Sequence, residues 1–167
     1  IGLPILISII IINKIFFINN NYKINNIVIC PLNYNFIPKI FYKDKVFFDS
    51  FFKLHIDLKI LFHILLSFKY YPSFYFLTKI LYKISLYSYL INKFNPKRII
   101  TSVEFSFTSS WLTSFCREKK IIHANYMHGE KVLNFRDVYF SFDEMYIWEK
   151  HYINIFKSLR TNVGKYI

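Results

Sequence analysis

The chain has 167 residues, of which 54% are hydrophobic, and its formal net charge at pH 7 is +12. This apolar content excludes an intrinsically disordered chain, because disorder requires low hydrophobicity. The charge predicts an acidic partner, and the spread of the lysines along a chain without a nucleic-acid-binding motif favours an anionic membrane surface over nucleic acid.

The cysteines and the first histidines indicate no metal site. Cys30 and Cys116 lie far apart and outside any Cys-x-x-Cys spacing, so we expect buried thiols in a reducing compartment. His55 and His63 have no carboxylate or cysteine at a spacing that would complete a ligand set. We therefore interpret both histidines as structural or solvated.

The first eighteen residues are almost wholly apolar. The run at 1–12 is shorter than the roughly 20 apolar residues of a membrane-spanning helix. No positive charge precedes it, as one would in a signal peptide. The pattern favours a helix that is buried or lies on a membrane, with a membrane span as the alternative.

The next segments predict one strand and two helices. Residues 26–32 are typical of a short buried strand that ends at Pro31. Residues 47–68 are apolar on nearly every face, Tyr70-Tyr71-Pro72 interrupts them, and a second helix is predicted from 73 to 93. Together they predict an apolar helical hairpin over about 47–94.

After Asn95-Pro96 the pattern is strand, helix, strand. The first strand is predicted at 97–100 and the second at 121–127. Thr101 to Glu104 has the form of a capping box, which would begin the helix between them. One apolar stripe recurs every four residues along that helix: Val103, Phe107, Trp111 and Phe115. A crossover of this kind builds parallel sheet.

A histidine–glycine corner follows the second strand. His128 stands at the strand's carboxyl end, where ligands bind in open α/β sheets, and Gly129 permits a sharp turn and a close approach. The imidazole can act as a neutral base or, when protonated, can hold a phosphate. Glu130 and Asp137 can orient it or serve as the base, and Arg136 can clamp an anionic group. The alternative is a purely structural turn.

A second strand–helix unit is predicted beyond this corner. Asp143-Glu144 leads into a strand at Met145–Trp148, and a helix follows whose apolar face is formed by Tyr152, Ile155, Phe156 and Leu159. We therefore predict a partial amino-terminal domain at 1–142 and the truncated beginning of a second domain at 143–167.

The segment 95–160 carries a family resemblance. Its residues are Met127-His128-Gly129-Glu130-Lys131, Arg136-Asp137, Asp143-Glu144 and the aromatic strand Tyr146-Ile147-Trp148. The arrangement resembles bacterial GT-B glycosyltransferase-like proteins of surface-polysaccharide assembly. The teichoic-acid polymerases that use CDP-glycerol, the bacterial sialyl- and polysialyltransferases and other capsule transferases share versions of it.

The resemblance implies an α/β fold with an incomplete Rossmann-like (GT-B type) parallel sheet and flanking helices. It implies an inverting, metal-independent transfer of a sugar or polyol phosphate from a nucleotide-activated donor to a surface glycan or lipid-linked acceptor, without a cofactor. His128 would then lie in the interdomain cleft with Asp137 nearby. The candidate catalytic residues are His128, Glu130 and Asp137, and Gly129 and Arg136 are candidates for binding substrate or phosphate.

The chain also departs from that family. It has no glycine-rich donor loop, and it opens on Ile1 and stops soon after a helix. We therefore expect a piece of a longer transferase that is inactive alone, peripheral at the inner face of the cell membrane. The alternative function is a non-enzymatic, basic, membrane-associated helical protein.

Overall fold

The computed structural model describes residues 54–102, 107–127 and 139–167, the backbone of Ile27–Cys30 and Lys45–Phe47, and four residues near the start of the chain. The chain divides into two compact units. The first comprises Ile1–Lys23 and Ser50–Asn95, and the second comprises Ile24–Asp49 and Pro96–Ile167.

Two helices form the described part of the first unit. Helix α1 spans Leu58–Leu66, a short 3-10 turn covers Ser67–Lys69, and helix α2 spans Phe74–Phe94. Asp57 caps α1, since its side chain accepts a hydrogen bond of 2.7 Å from the Lys59 backbone N–H. Asn95, with a φ of 43°, ends α2 in the left-handed conformation.

Both helices were predicted, as was the break before Pro72, but the predicted start of the first helix at 47 is wrong. Phe47 belongs to a strand, and residues 54–57 are not helical. His55 is held within this unit, because its backbone N–H donates to the Ser85 carbonyl and its Nδ1 lies 3.0 Å from the Asn92 amide nitrogen.

The second unit contains a six-stranded parallel sheet in the order β2-β1-β3-β4-β5-β6. The strands are β1 (Ile27–Cys30), β2 (Lys45–Phe47), β3 (Arg98–Thr101), β4 (Ile122–Tyr126), β5 (Ser141–Tyr146) and β6 (Asn162–Tyr166). The prediction of an α/β fold with a parallel sheet and flanking helices is confirmed. β3 and β4 are buried along most of their length, as is typical of inner strands of a parallel sheet.

The strand order reverses direction once. The chain places β2 on one side of β1 and β3 on its other side, and then adds β4, β5 and β6 successively beyond β3. The switch point therefore lies between β1 and β3, where Cys30 and Thr101 are register partners at the carboxyl ends of their strands.

Helix α3 (Thr108–Glu118) connects β3 to β4, and its predicted start is wrong. Thr101 closes β3, and Phe107 is the N-cap residue without a side-chain cap. The predicted stripe also fails in part, because Phe107 is exposed although Phe115 is buried. The buried residues of α3 include three with hydroxyl side chains, Thr108, Ser109 and Thr113. The others are Leu112, Phe115 and Cys116. Cys116 is a buried free thiol, as predicted.

The predicted domain boundary at 142–143 falls within β5, and the division into two domains there stays a prediction. β5 pairs in parallel with β4 and β6 pairs in parallel with β5, so all three strands belong to one sheet. β5 also begins earlier than predicted, at Ser141, and the exposed Trp148 lies beyond its end. β5 and β6 join this sheet because a further strand–helix–strand unit adds its strand beside the preceding one and so extends the existing sheet.

Helix α4 (His151–Ser158) follows β5 and confirms the predicted apolar face. Tyr152 and Phe156 are buried, and Ile155 and Leu159 pack beside them. The core that they cover contains Met127, Phe140, Phe142 and Met145. β6, which follows α4, was not predicted. Its sequence, Asn-Val-Gly-Lys-Tyr, includes Asn, Gly and Lys, which are depleted in strands.

Candidate functional site

Polar side chains lie at the carboxyl ends of β3 and β4. Thr101, the last residue of β3, is the register partner of Asn125 on β4, and register partners on neighbouring parallel strands point to the same face of the sheet. Both side chains are buried, as is Ser102, which follows β3. This edge therefore has buried hydrogen-bonding groups within a sheet that is otherwise mostly apolar.

The Asn125 side chain at this edge is buried without a hydrogen bond to the described residues. Within the part of the chain that the structure describes, neither its side-chain oxygen nor its side-chain nitrogen has a hydrogen-bond partner, and the residue has no exposed surface. A buried amide without partners costs roughly 1–3 kcal/mol. Buried polar groups are normally satisfied, so an exception of this kind is a candidate ligand contact.

The position of Asn125 agrees with the topology. In open parallel sheets, ligands bind beyond the carboxyl ends of the strands, at the point where the strand order reverses. That point is the β1–β3 gap, and Asn125 lies one strand further along, beside Thr101. The carboxyl end of β4, after which the site is predicted, thus lies at the edge of the sheet where the fold favours ligand binding.

The five predicted site residues themselves lie outside the described residues: His128, Gly129, Glu130, Arg136 and Asp137. The structure does describe the chain up to Met127. β4 ends at Tyr126, and the buried Met127 donates its backbone N–H to the Tyr146 carbonyl at 3.0 Å. The predicted strand before the corner is therefore confirmed, and the roles of the corner residues stay predictions.

A second polar group, which sequence reasoning missed, joins α3 to the sheet. The Thr113 hydroxyl donates to the Ser141 carbonyl at 2.6 Å and lies 2.7 Å from Nδ1 of His123. The Ser109 hydroxyl accepts from the Ser141 backbone N–H at 2.9 Å. The signal for this contact was the run of Ser and Thr in a helix between two buried strands.

Asp143 and Glu144, which belong to the resemblance, are engaged in ion pairs. Asp143 accepts from Arg117 Nε at 2.6 Å with one oxygen and from the His123 backbone N–H at 2.9 Å with the other. Glu144 accepts from Arg98 at 3.1 Å and from the Tyr146 hydroxyl at 3.2 Å. Asp143 therefore joins α3 to the sheet, and Glu144 joins β5 to β3.

These contacts also affect Tyr146. Burial raises the pKa of its phenol above the ordinary value of 10.0. The Arg98 guanidinium opposes this increase, and the charge and hydrogen bond of Glu144 add to it. The phenol is therefore retained in its neutral, hydrogen-donating form.

Comparisons of the chain with protein-family models, with curated proteins and with solved structures find no match. They assign it to no family. The resemblance of 95–160 to surface-polysaccharide transferases thus rests on its residues alone. Among the described residues, no three His, Cys, Asp or Glu side chains are grouped so that they would hold a metal ion.

Proposed function

We propose that the chain belongs to a GT-B type glycosyltransferase-like protein that transfers a sugar or polyol phosphate from a nucleotide-activated donor to a surface glycan or lipid-linked acceptor. The observation that carries this proposal is the buried amide of Asn125 near the carboxyl end of β4, three residues before His128, which has no hydrogen-bond partner among the described residues. The reversal of strand order beside it supports a ligand-binding edge. The residues of the resemblance supply the reaction class.

In the proposed reaction, His128 accepts the proton of an acceptor hydroxyl as that oxygen attacks the transferred group. The bond between that group and the terminal phosphate oxygen of the nucleotide breaks, and the electron pair remains on the phosphate. Arg136 neutralises this leaving group, because a guanidinium binds phosphate through two parallel hydrogen bonds. Glu130 or Asp137 orients the imidazole, and Asn125 binds an acceptor hydroxyl. The displacement is direct and requires no cofactor.

The test is transfer or hydrolysis of nucleotide-activated donors by the purified full-length protein, with CDP-glycerol, CMP-sialic acid and a UDP-hexose as probes. We expect His128→Ala to lower turnover by about 10²–10⁴-fold, the usual contribution of a general base. His151→Ala is the matched control, because His151 is exposed on α4. Equal turnover in the wild type and in His128→Ala would remove His128 from the mechanism. Lack of turnover with every donor would favour the non-enzymatic alternative.

A second observation favours contact with a membrane, the alternative function. An exposed aromatic face, defined by large apolar side chains that are each 52–74% exposed, runs from α1 into the start of α2: Leu58, Phe62, Leu66, Tyr70, Tyr71, Phe74 and Tyr75. The first three recur every four residues and therefore share one side of α1. Contiguous exposed apolar surface of this kind marks an interaction site.

The lysines beside the aromatic face indicate what kind of surface this face binds. Lys59 and Lys69 are exposed, and Lys79 lies with its Nζ 5.7 Å from the centre of the Tyr75 ring. Tyrosines and lysines together are typical of protein segments at a membrane interface. None of the described helices is long and apolar enough to span a bilayer. We infer that α1 and α2, as the predicted apolar hairpin, lie on an anionic leaflet, which in cells is the inner one.

Vesicle flotation tests this contact. We expect the chain to float with phosphatidylserine-containing vesicles and less with neutral ones. Phe62→Asp should weaken this binding by about tenfold or more, since it removes the burial of one aromatic side chain. Trp148→Asp, which alters an exposed aromatic of the other unit, is the control. A different result would identify the aromatic face as a contact between copies of the chain. In that case the wild type would self-associate without binding vesicles, and Phe62→Asp would abolish the self-association.

A further inference from the structure

A pocket lies at the other end of β4 from Asn125, where α3 ends and β4 begins. Its volume is about 410 Å³, within the range of small-molecule sites. Its wall includes Ile121 and Ile122, and its charged residues are Arg117, Lys120, Asp143, Glu144 and Lys165. The pocket is separate from the histidine–glycine corner in the chain and involves none of the proposed catalytic residues.

Lys120 occupies a backbone position that favours glycine. Its φ is +58°, and it follows the last turn of α3. The Ile121 N–H donates to the Cys116 carbonyl, and the Lys120 N–H donates to the Arg117 carbonyl, each at 2.9 Å. These two bonds are those of a Schellman ending, whose left-handed residue is usually Gly. A lysine is less stable than glycine in this conformation, so its presence indicates a role for its side chain.

The side chains that line the pocket carry three positive and two negative charges, and Arg98, which lies outside the lining, pairs with one of the two carboxylates. Arg117 pairs with Asp143 at 2.6 Å, and Arg98 pairs with Glu144 at 3.1 Å, so these four charges cancel. Lys120 and Lys165 form no ion pair within 4.0 Å with any residue in the described ranges. The two ammonium groups are therefore available to an anion of charge near −2.

We propose that this pocket binds the phosphate monoester of a small sugar or polyol. A phosphate monoester carries a charge of about −1.5 to −2 at pH 7, which matches the two lysines. Ile121 and Ile122 supply an apolar wall for the carbon skeleton, and the hydroxyls can donate to the rim carboxylates. The proposal rests on the pocket's own charges and backbone, and it stands whether or not the chain is a transferase.

The first experiment measures binding to the full chain by calorimetry at low ionic strength. Glucose 1-phosphate, inorganic phosphate and glucose are the probes. We expect glucose 1-phosphate to bind more tightly than inorganic phosphate, and glucose not to bind. Equal affinity for the two anions would overturn the assignment of a sugar or polyol phosphate, because the carbon skeleton would then contribute nothing. Absence of binding by both anions would overturn the site altogether.

The second experiment uses the conformation of Lys120. Lys120→Gly should raise the melting temperature without ligand, because glycine suits the left-handed position. The same variant should weaken binding of glucose 1-phosphate by about tenfold, the loss of one charge-assisted contact. Lys165→Gln should weaken binding similarly without the gain in melting temperature. Lys150→Gln, an exposed lysine outside the pocket, is the control.

The combination of results distinguishes a binding lysine from a merely tolerated one. A higher melting temperature with unchanged affinity in Lys120→Gly would show that the side chain does not meet the ligand, and this result would overturn the proposal. Similar weakening by Lys150→Gln would do so as well, because it would indicate attraction to net charge rather than a site.

Discussion

The hydroxyl of the buried Thr113 on α3 accepts a hydrogen bond from Nδ1 of the buried His123 on β4, and the two atoms lie 2.7 Å apart. The direction follows from proton counting. The hydroxyl has one proton, and it donates this proton to the Ser141 carbonyl at 2.6 Å. Nδ1 must therefore carry the proton in this contact, which fixes the tautomer of the neutral imidazole. One threonine thus links a helix to two strands.

Replacing Thr113 by valine, which has the same shape, should therefore destabilise the fold. The substitution leaves the Nδ1 proton of His123 and the Ser141 carbonyl without this partner. At about 1–3 kcal/mol for each of these two groups, we expect the free energy of unfolding to fall by roughly 2–6 kcal/mol. Thr113→Ser is the control and should lose only about 1 kcal/mol, the contribution of a methyl group. Urea denaturation measures both, and equal losses would show that the hydroxyl contributes little.

Replacing Asn125 by leucine should have the opposite effect on stability. Leucine has the same shape, and it removes two buried polar atoms without partners in the described chain. We expect the free energy of unfolding to rise by about 1–3 kcal/mol. Binding or turnover at the carboxyl edge should be lost. Asn162→Leu, at an exposed position, should stay within about 0.5 kcal/mol. A destabilised Asn125→Leu would indicate that the amide is satisfied in solution.

Tyr146 should make stability depend on alkaline pH. Because its pKa in the fold is raised above 10.0, the folded protein favours the neutral phenol. The contribution of the neutral phenol to the free energy of unfolding is therefore fully present below pH 10.0 and is lost as the pH rises through the folded-state pKa. We expect the difference in free energy of unfolding between the wild type and Tyr146→Phe to shrink between pH 9 and pH 11, values that bracket the ordinary tyrosine pKa of about 10. A difference that stays constant over this range would contradict the assignment.

Replacing Gly164 on β6 by a larger residue should destabilise the fold. A Cβ built at this position would lie 2.8 Å from the Asp143 carbonyl oxygen on β5, so the two strands would have to move apart. We expect Gly164→Ala to lower the free energy of unfolding by about 1–3 kcal/mol, as overpacking typically does. Asn162→Ala, in the same strand but exposed, is the comparison. Thermal unfolding measures which of the two variants is less stable. Equal stability would show that the close approach of Gly164 to Asp143 does not restrict the side chain at this position.

The elements that the sequence predicts well are those whose stability comes from apolar periodicity. β3 and β4 follow from short buried runs, and α4 follows from Tyr152 and Phe156 with their neighbours one turn away. The predicted start of α3 is too early because Thr101 and Ser102 have the sequence of a cap, although Thr101 ends β3 and Ser102 follows it. Local propensity cannot distinguish these roles, since the sheet decides between them.

The described part of the candidate site was less predictable. An asparagine in a buried strand is a visible signal, because Asn is depleted there. Only the fold shows that the Asn125 side chain has no hydrogen-bond partner among the residues that the structure describes. The pairs Arg117–Asp143 and Arg98–Glu144 join residues on different elements, so no local pattern predicts them. The same holds for Thr113 and His123, whose contact depends on how α3 lies on the sheet.

The reversal of strand order also has a kinetic consequence. β3, β4, β5 and β6 are neighbours in the sheet in the same order as in the chain, so each new strand pairs with the preceding one after a single crossover. β1, in contrast, meets β3 only after the chain has passed through α1 and α2. Closing a longer loop costs more entropy before any contact compensates for it. The four-strand block should therefore form first, and amide hydrogen exchange should be slowest in β3 and β4, with β1 and β2 joining a sheet that already exists.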